Sequence, residues 1–280
     1  MRGGIAVLML ALGWPAGVAA QGDCFPGAGS NEAKSMAIFA VPLAFSRGGG
    51  PDLYAGFHAG VELAYLPKVD EATATPTICR PGKGPENTDL LFAFPRPRIG
   101  LPLPLGLALQ ASWVPPVRVR GVKANLLGIS VEKAFGDLDG LVAAIRAQAT
   151  FGSVNAPITC NDQALADPSS ECFGGTRSDD RLSPNILGID VAVGGPMAEG
   201  RLRPYGGVGY NRLRPRLQVN FTNQFGELDD RRVEVNLDRF VMFGGATWMT
   251  TDRLSVTGEL YAAPADAITG RVILRTAVGP

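Results

Sequence analysis

The sequence predicts an all-β chain, an antiparallel transmembrane up-and-down β-barrel of about ten strands, with roughly 8–12 compatible with the pattern. Three observations carry this expectation. Apolar and polar residues alternate with a period of two along most of the chain, charge keeps to one face of each alternating segment, and long and short connections take turns between segments. Composition agrees, because 36 Gly and 22 Pro scattered through 280 residues interrupt any long helical pattern.

Residues 1–20 have the layout of a secretory leader: Arg2, an apolar run from Ile5 to Leu12, then small residues through Ala19 and Ala20. Cleavage near Gln21 is expected, because so short a run cannot cross a bilayer as a helix, which takes roughly 20 apolar residues. Lipid modification at Cys24 is disfavoured by Gln21, Gly22 and Asp23 before it, where small and apolar residues are required. No later stretch of about 18 uninterrupted apolar residues occurs, so any span is made of strands. The rest divides into an N-terminal segment, residues 21–53, and a barrel, residues 54–280.

The first strand, near 54–66, sets Phe57, Val61, Leu63 and Tyr65 against His58 and Glu62. The second and third lie near 89–99 and 104–115; in the latter, apolar odd positions from Leu105 to Trp113 oppose Gly106, Ala108, Gln110 and Ser112. Between them, Pro95-Arg96-Pro97-Arg98 and the run to Pro104 read as a turn with irregular strand ends, since proline cannot donate to a ladder. The fourth strand, 117–135, changes phase near Leu126–Leu127 and predicts a β-bulge there. Six more follow near 140–153, 184–195, 200–214, 230–248, 253–263 and 267–278, with boundaries good to ~2–4 residues. Residues 36–46 read as an apolar segment tucked against or within the barrel, with an eleventh strand as the alternative.

Connections 67–88, 154–183 and 215–229 are long, whereas Gly136–Gly140, Gly194–Gly200 and Thr250–Arg253 are tight. With the first strand rising from the periplasm, these tight turns share one rim and the long loops the other, a sorting that membrane barrels favour, while two outer connections, Pro115–Pro116 and Pro264–Ala267, are also short. Tyr54, Phe57, Tyr65, Trp113, Phe135, Phe151, Tyr210 and Trp248 fall near strand ends, where an aromatic girdle belongs.

With the polar faces turned inward, the lumen candidates are His58, Glu62, Gln110, Arg118, Arg120, Lys123, Glu132, Arg146, Asp190, Arg203, Glu234, Asp238, Glu259, Arg271 and Arg275. In so narrow a lumen opposed charges either pair into a structural network or line a thin aqueous path. Lys+Arg and Asp+Glu both total 26, so no net field draws nucleic acid. Cys160 and Cys172 share one long loop and are expected to pair, which leaves Cys24 for Cys79. That second bond requires the N-terminal segment to run through or over the barrel as a plug; otherwise Cys24 stays free or residues 36–46 add a strand. No zinc-like spacing and no cofactor motif occurs. His58, the only histidine, lies about 13 Å from Glu62 along an extended strand, so no catalytic pair is expected.

The leader, the alternating strands and the alternating connections together resemble the small outer-membrane β-barrel proteins of Gram-negative bacteria. The resemblance spans most of the mature chain and implies an outer-membrane location with lipid against the outer face. The C-terminal strand ends in Ala277, Val278, Gly279 and Pro280, where such barrels often finish on an aromatic residue recognised during assembly. The catalytic constellations of membrane-embedded proteases and lipid-modifying barrels are missing. Three functions remain open: passage of small solutes through a narrow charged lumen, a non-conducting structural or adhesive barrel whose long loops meet a partner, and a soluble barrel carrying an apolar ligand.

Overall fold

The computed structural model describes residues 22–51, 56–138, 140–198 and 200–278; the expected leader and Tyr54 lie outside these residues. Ten strands form the wall: β1 His58–Tyr65, β2 Ala93–Leu103, β3 Leu107–Val114, β4 Val122–Leu138, β5 Leu141–Ala156, β6 Ile186–Gly194, β7 Leu202–Leu213, β8 Leu237–Met249, β9 Leu254–Ala263 and β10 Ala267–Ala277. Each pairs antiparallel with the next, and β10 pairs with β1 from Ala64↔Arg271 to His58↔Ala277, which closes the barrel. The long connections all emerge at one end, the loop end, and the turn end carries only tight ones, while the three-residue connection between β9 and β10 is a tight turn at the loop end.

The period-two alternation continues unbroken along β4, where Val122, Ala124, Leu126, Ser130, Glu132 and Ala134 point inward while Leu127, Ile129 and Val131 point out. The bulge expected at Leu126–Leu127 is therefore not there; register with β5 shifts between Phe135 and Asp137, beside the turn. What changes at Leu126 is the lining of the interior, which is apolar at the loop end and charged further down. Residues 95–98 are strand, not turn. Over Ala93–Pro97, β2 pairs with β1 alone and joins β3 only from Arg98↔Ser112, so Pro95 and Pro97 sit where the second edge carries no ladder. Both prolines face outward and turn Arg96 and Arg98 into the barrel.

The apolar N-terminal stretch is a helix inside the barrel, α1 Asn31–Leu43, and not an eleventh strand. Ser30 caps it by accepting a hydrogen bond from the Ala33 amide. Ala33, Ala37, Ala40 and Ala44 follow one another at helical spacing and are wholly buried. A helix with ordinary side chains is about 10–12 Å across, and this run of alanines slims it enough to stand within the wall. It packs on Phe94, Val122, Leu126, Ile186, Leu213 and Val241 in the main apolar cluster. Pro42 lies in the last turn, after which residues 44–51 continue towards the turn end.

Short strands at Asp180–Ser183, Arg216–Gln218 and Arg232–Glu234 extend the loop end of β5 as a small sheet, and Cys24 adds a parallel bridge to Val233. Leu63, Ile129, Ile145, Ile189, Val208, Val272 and Leu274 typify the exposed outward face, with Tyr65, Trp113 and Tyr210 towards the loop end and Phe57, Phe135 and Trp248 towards the turn end. Replacing Ala37 by Leu overfills the space around α1 and should cost about 1–3 kcal/mol, read as a lower urea midpoint for loss of the folded barrel. An unchanged midpoint would mean that the helix has slack around it.

Candidate functional site

The charged middle of the barrel is built on cross-strand neighbours: Glu259 opposite Arg271, Glu62 opposite Arg96, and Glu132 opposite Arg146, itself opposite Asp190. Into this ring the N-terminal segment delivers Phe45, Ser46 and Arg47. Arg47 Nη1 donates to Asp190 Oδ1 at 2.5 Å and Nη2 donates to Glu132. Arg146 reaches Asp190 Oδ2 through Nε at 2.9 Å and Nη2 at 2.7 Å, so Asp190 lies between two guanidiniums. Glu62 accepts from Arg98 Nη1 at 3.0 Å and from the Ser46 hydroxyl. Glu259 accepts from Arg271 Nη1 at 3.1 Å and from the Tyr205 hydroxyl at 2.9 Å.

The same wall arginines hold the main chain at the end of α1, whose last carbonyls have no partner within the helix. Arg96 Nη2 donates to Leu43 O at 2.7 Å, and Arg271 Nη2 donates to Ala44 O at 3.1 Å and Val41 O at 3.3 Å. Arg98 Nη2 donates to Ser46 O and Arg47 O, both at 3.1 Å. The Phe45 ring lies beneath two of them, 4.9 Å from the Arg98 guanidinium carbon and 5.7 Å from that of Arg96. Gly48 has φ +76°, and a Cβ there would stand 2.3 Å from Arg98 Nη1, so only glycine lets the chain pass. The wall also makes room: a Cβ on Gly128 would come within 3.1 Å of Phe45.

Burial shows what this arrangement does to the lumen. Arg47, Arg96, Arg98, Arg146 and Arg271 are at most 3% exposed, and Glu62, Glu132, Asp190 and Glu259 at most 7%. A water-filled path would leave these side chains wet. The layer is closed.

The structure brings His58, Glu62, Gln110, Glu132, Arg146, Asp190, Glu259 and Arg271 together on the buried inner face, with Arg203 and Arg275 half-buried on it. Five lumen candidates lie elsewhere. Arg118 is on a short strand outside the barrel and pairs with Asp179 at 3.1 Å; Arg120 is exposed in the adjoining turn at φ +50°. Lys123 points outward because Val122 and Ala124 take the inner positions at the apolar loop end. Glu234 sits on a loop strand with Arg216 at 3.4 Å, and Asp238 is outward because Leu237 faces in. Arg47, Arg96 and Arg98 belong to the buried layer without being among the residues that the alternation predicts for it. The arginine spacing in Pro95-Arg96-Pro97-Arg98 carried the period of two, but the prolines argued it down. His58 Nδ1 lies 3.0 Å from Gly56 O, and Glu62 is bound to Arg98 and Ser46.

Above the plug, both disulfides form at the loop end, Cys24–Cys79 and Cys160–Cys172. Glu32, in the first turn of α1, accepts from the Thr77, Ile78 and Cys79 amides at 2.9, 2.7 and 2.8 Å and so fixes the loop that carries Cys79. Arg80 joins neighbouring loops, contacting Glu86 at 3.4 Å, Asp229 at 3.6 Å, Glu171, and the Phe221 ring at 5.7 Å. Among the described residues no group of three or more His, Cys, Asp or Glu is placed to hold a metal ion.

No protein-family model matches the chain, and no curated protein sequence is similar to it. Among solved structures, the attachment invasion locus protein Ail of Yersinia pestis is 8% identical with a TM-score of 0.30, covering 79% of this chain and 97% of its own. The outer membrane protein Omp33 of Acinetobacter baumannii is 8% identical with a TM-score of 0.29, covering 81% and 99%. A loop-deletion mutant of OmpT, an outer membrane protein of Vibrio cholerae, is 15% identical with a TM-score of 0.26, covering 66% and 53%. Likeness at this level adds nothing to what the strand pairing itself establishes.

Arg47→Ala leaves Glu132 and the second side of Asp190 buried without their cation, which should cost about 3–5 kcal/mol in chemical denaturation. Glu132→Gln added to that variant should recover part of the loss; no recovery would place the cost in packing instead. Burial raises the Glu32 carboxyl, but the Cys79, Ile78 and Thr77 amides together outweigh it, so its pKa lies below the ordinary 4.5. A lowered folded value contributes stability that is full above about 4.5 and is lost as pH falls through the folded value. Phosphine reduction of Cys24–Cys79, taken relative to the Glu32→Gln variant at each pH, should therefore gain speed as pH drops below 4.5; a ratio that stays constant would deny Glu32 this role.

Proposed function

We propose that the protein is an outer-membrane β-barrel held shut by its own N-terminal segment, with its disulfide-clamped loop end as the working surface towards the outside. The observation that carries this is the dryness of the charged layer: eight charged wall side chains surround a threaded chain that adds Arg47, and all nine are at most 7% exposed. The apolar outward face supports burial in lipid, since a spanning barrel satisfies its backbone within the sheet and shows apolar side chains to the bilayer. The sorting of long loops to one end supports the orientation. An interior filled with ion pairs and a helix speaks against a carrier of apolar ligands. A structural or adhesive role follows, in which the loops 157–185 and 214–236 meet a polar surface.

Cell fractionation and planar-bilayer recording test this together. The protein is expected to need detergent for extraction, to migrate differently on gels before and after heating, and to give no conductance steps when intact. Steady conductance from the intact protein would overturn the closed reading and favour passage of small solutes; extraction without detergent would overturn the membrane reading.

A further inference from the structure

Cations that do not face the lumen gather on one outer flank of the loop end. Arg118, Lys123, Asn155, Arg181, Gln218 and Arg232 stand opposite one another in an unbroken row across β4, β5 and four short strands. Residues opposite one another in a ladder share a face. Their neighbours Val122, Val154, Leu182, Leu217 and Val233 pack into the apolar cluster, so this row looks outward. At about 4.8 Å per strand it is about 24 Å long.

Its charge is only partly cancelled. Arg118 pairs with Asp179 at 3.1 Å, and Arg216, one row below, with Glu234 at 3.4 Å. Among the described residues no carboxylate lies within ion-pair distance of Lys123, Arg181 or Arg232, all exposed. Setting Asp23, which adjoins the Cys24–Val233 bridge, against Arg232 still leaves Lys123 and Arg181 on either side of Asn155. The equal totals of 26 hide this separation, because the exposed charges beyond Tyr65, on another flank, include Asp70, Glu71 and Asp89 against Lys68.

The height of the row on the wall says what it meets. Trp113, Leu127 and Phe151 form an outward row of the same ladder, and aromatic side chains of this kind sit at headgroup level. Lys123 is four residues further along β4, about 13 Å up the strand and about 10 Å up the barrel axis at a tilt of about 40°. Beyond Tyr210 come Arg212, opposite Asp238, and Arg214, both exposed. Cations at this height meet the outermost charged groups of a leaflet and not its acyl chains.

We propose that this flank is a docking surface for phosphorylated lipid of the outer leaflet, with Lys123 and Arg181 holding one phosphate between them and Arg118 and Arg232 extending the contact. Charge complementarity selects the occupant: a guanidinium fork and an ammonium bind phosphate oxygens, and the Asn155 amide adds a neutral donor.

Such a surface needs the lipid-embedded wall proposed above but not its closed lumen, and the experiment separates the two. Full-length protein in maltoside micelles is titrated with phosphatidic acid or with phosphatidylcholine, and the retained lipid is counted by native mass spectrometry. Phosphatidic acid should be retained in preference, and less so as salt rises, because the cations are exposed. Lys123→Gln, Arg181→Gln and Arg232→Gln together should weaken its binding about a hundredfold, and Lys123→Gln or Arg181→Gln alone about fivefold. Lys123→Arg, Arg181→Lys and Arg232→Lys together should keep the affinity. So should Lys68→Gln, Arg201→Gln and Arg253→Gln, which remove three exposed cations elsewhere. No preference for phosphatidic acid, or equal binding by the two glutamine triples, overturns the lipid site. Displacement by soluble inositol hexakisphosphate as readily as by the lipid also overturns it and assigns the flank to a polyanion in solution. If the first triple gives no heat-modifiable barrel, the two single variants decide. Extraction of the protein without detergent fails the membrane reading and this site with it, whereas a protein that needs detergent and shows no preference fails the site alone.

Discussion

The interaction on which the rest of the structure depends is the meeting of a helix end with three arginines inside a barrel. A helix leaves its last carbonyls unsatisfied, and here they fall in a lumen that water does not reach. Neighbouring β-strands cannot supply donors, because their amides are committed to the ladder that closes the wall. Only a long side chain with several donors can serve more than one such carbonyl, and arginine has five in a fixed fork. Arg96, Arg98 and Arg271 stand on β2 and β10, on either side of β1, and converge on five main-chain carbonyl oxygens between Val41 and Arg47. The carboxylates follow from the arginines. Five guanidiniums within a closed layer call for negative charge, which four carboxylates and the partial negative charge at the helix C-terminus provide.

That charged layer also explains why the interior is stratified. Near the loop end the wall meets the sides of α1, where every backbone group is already bonded within the helix, and the inward residues are accordingly Val122, Leu126, Ile186, Leu213 and Val241. Past Leu43 the helix gives way to extended chain with free polar groups, and the wall turns to Gln148, Asn211, Arg98 and Glu62. Gln148 shows the match in one contact, accepting from the Phe45 amide at 2.9 Å just two residues beyond the helix. Small residues complete it, alanine on the helix and glycine on the wall, because the volume inside a ten-stranded barrel has to be shared between two sets of side chains.

The same stratification decides what could be read from the sequence. The ten strands were legible because lipid-facing and interior positions alternate whatever the interior contains, and Leu254–Ala263 or Leu141–Ala156 shows that period plainly. The rule that the polar face points inward held only in the middle. At the loop end the lining is apolar, so Lys123 and Asp238 turn outward on strands whose deeper residues obey the rule, and the reversal at Leu126 imitates a bulge. Arg118, Arg120 and Glu234 lie beyond the rim, where the alternation continues into loops that carry their own short strands. Arg96 and Arg98 were hidden by prolines whose tolerance depends on an unpaired strand edge, and strand pairing is not a local property of sequence. Arg47 was invisible for a further reason: nothing in residues 44–50 says which wall they will meet.

The path of the chain sets how far the plug can move. Residues 22–30 lie at the loop end, where Cys24 is bonded to Cys79 and its backbone bridges Val233 through hydrogen bonds of 2.8 and 3.0 Å. The segment then descends the lumen, and the chain returns up the wall as β1, so the plug is fixed at its upper end by a disulfide and at its lower end by the polypeptide itself. A bond closing a 55-residue separation removes about 4 kcal/mol of unfolded-state freedom on the chain-entropy account. More to the point, it removes outward escape as a route of opening while it stays oxidised. What is left without a covalent tie across the lumen is the stretch from Phe45 to Gly50, held by ion pairs and guanidinium–carbonyl contacts and ending in three successive glycines. Any gating of this barrel by its own N-terminus is therefore a contest over Arg47, Arg98 and the carbonyls between them, fought along a segment that covalent bonds hold at both ends.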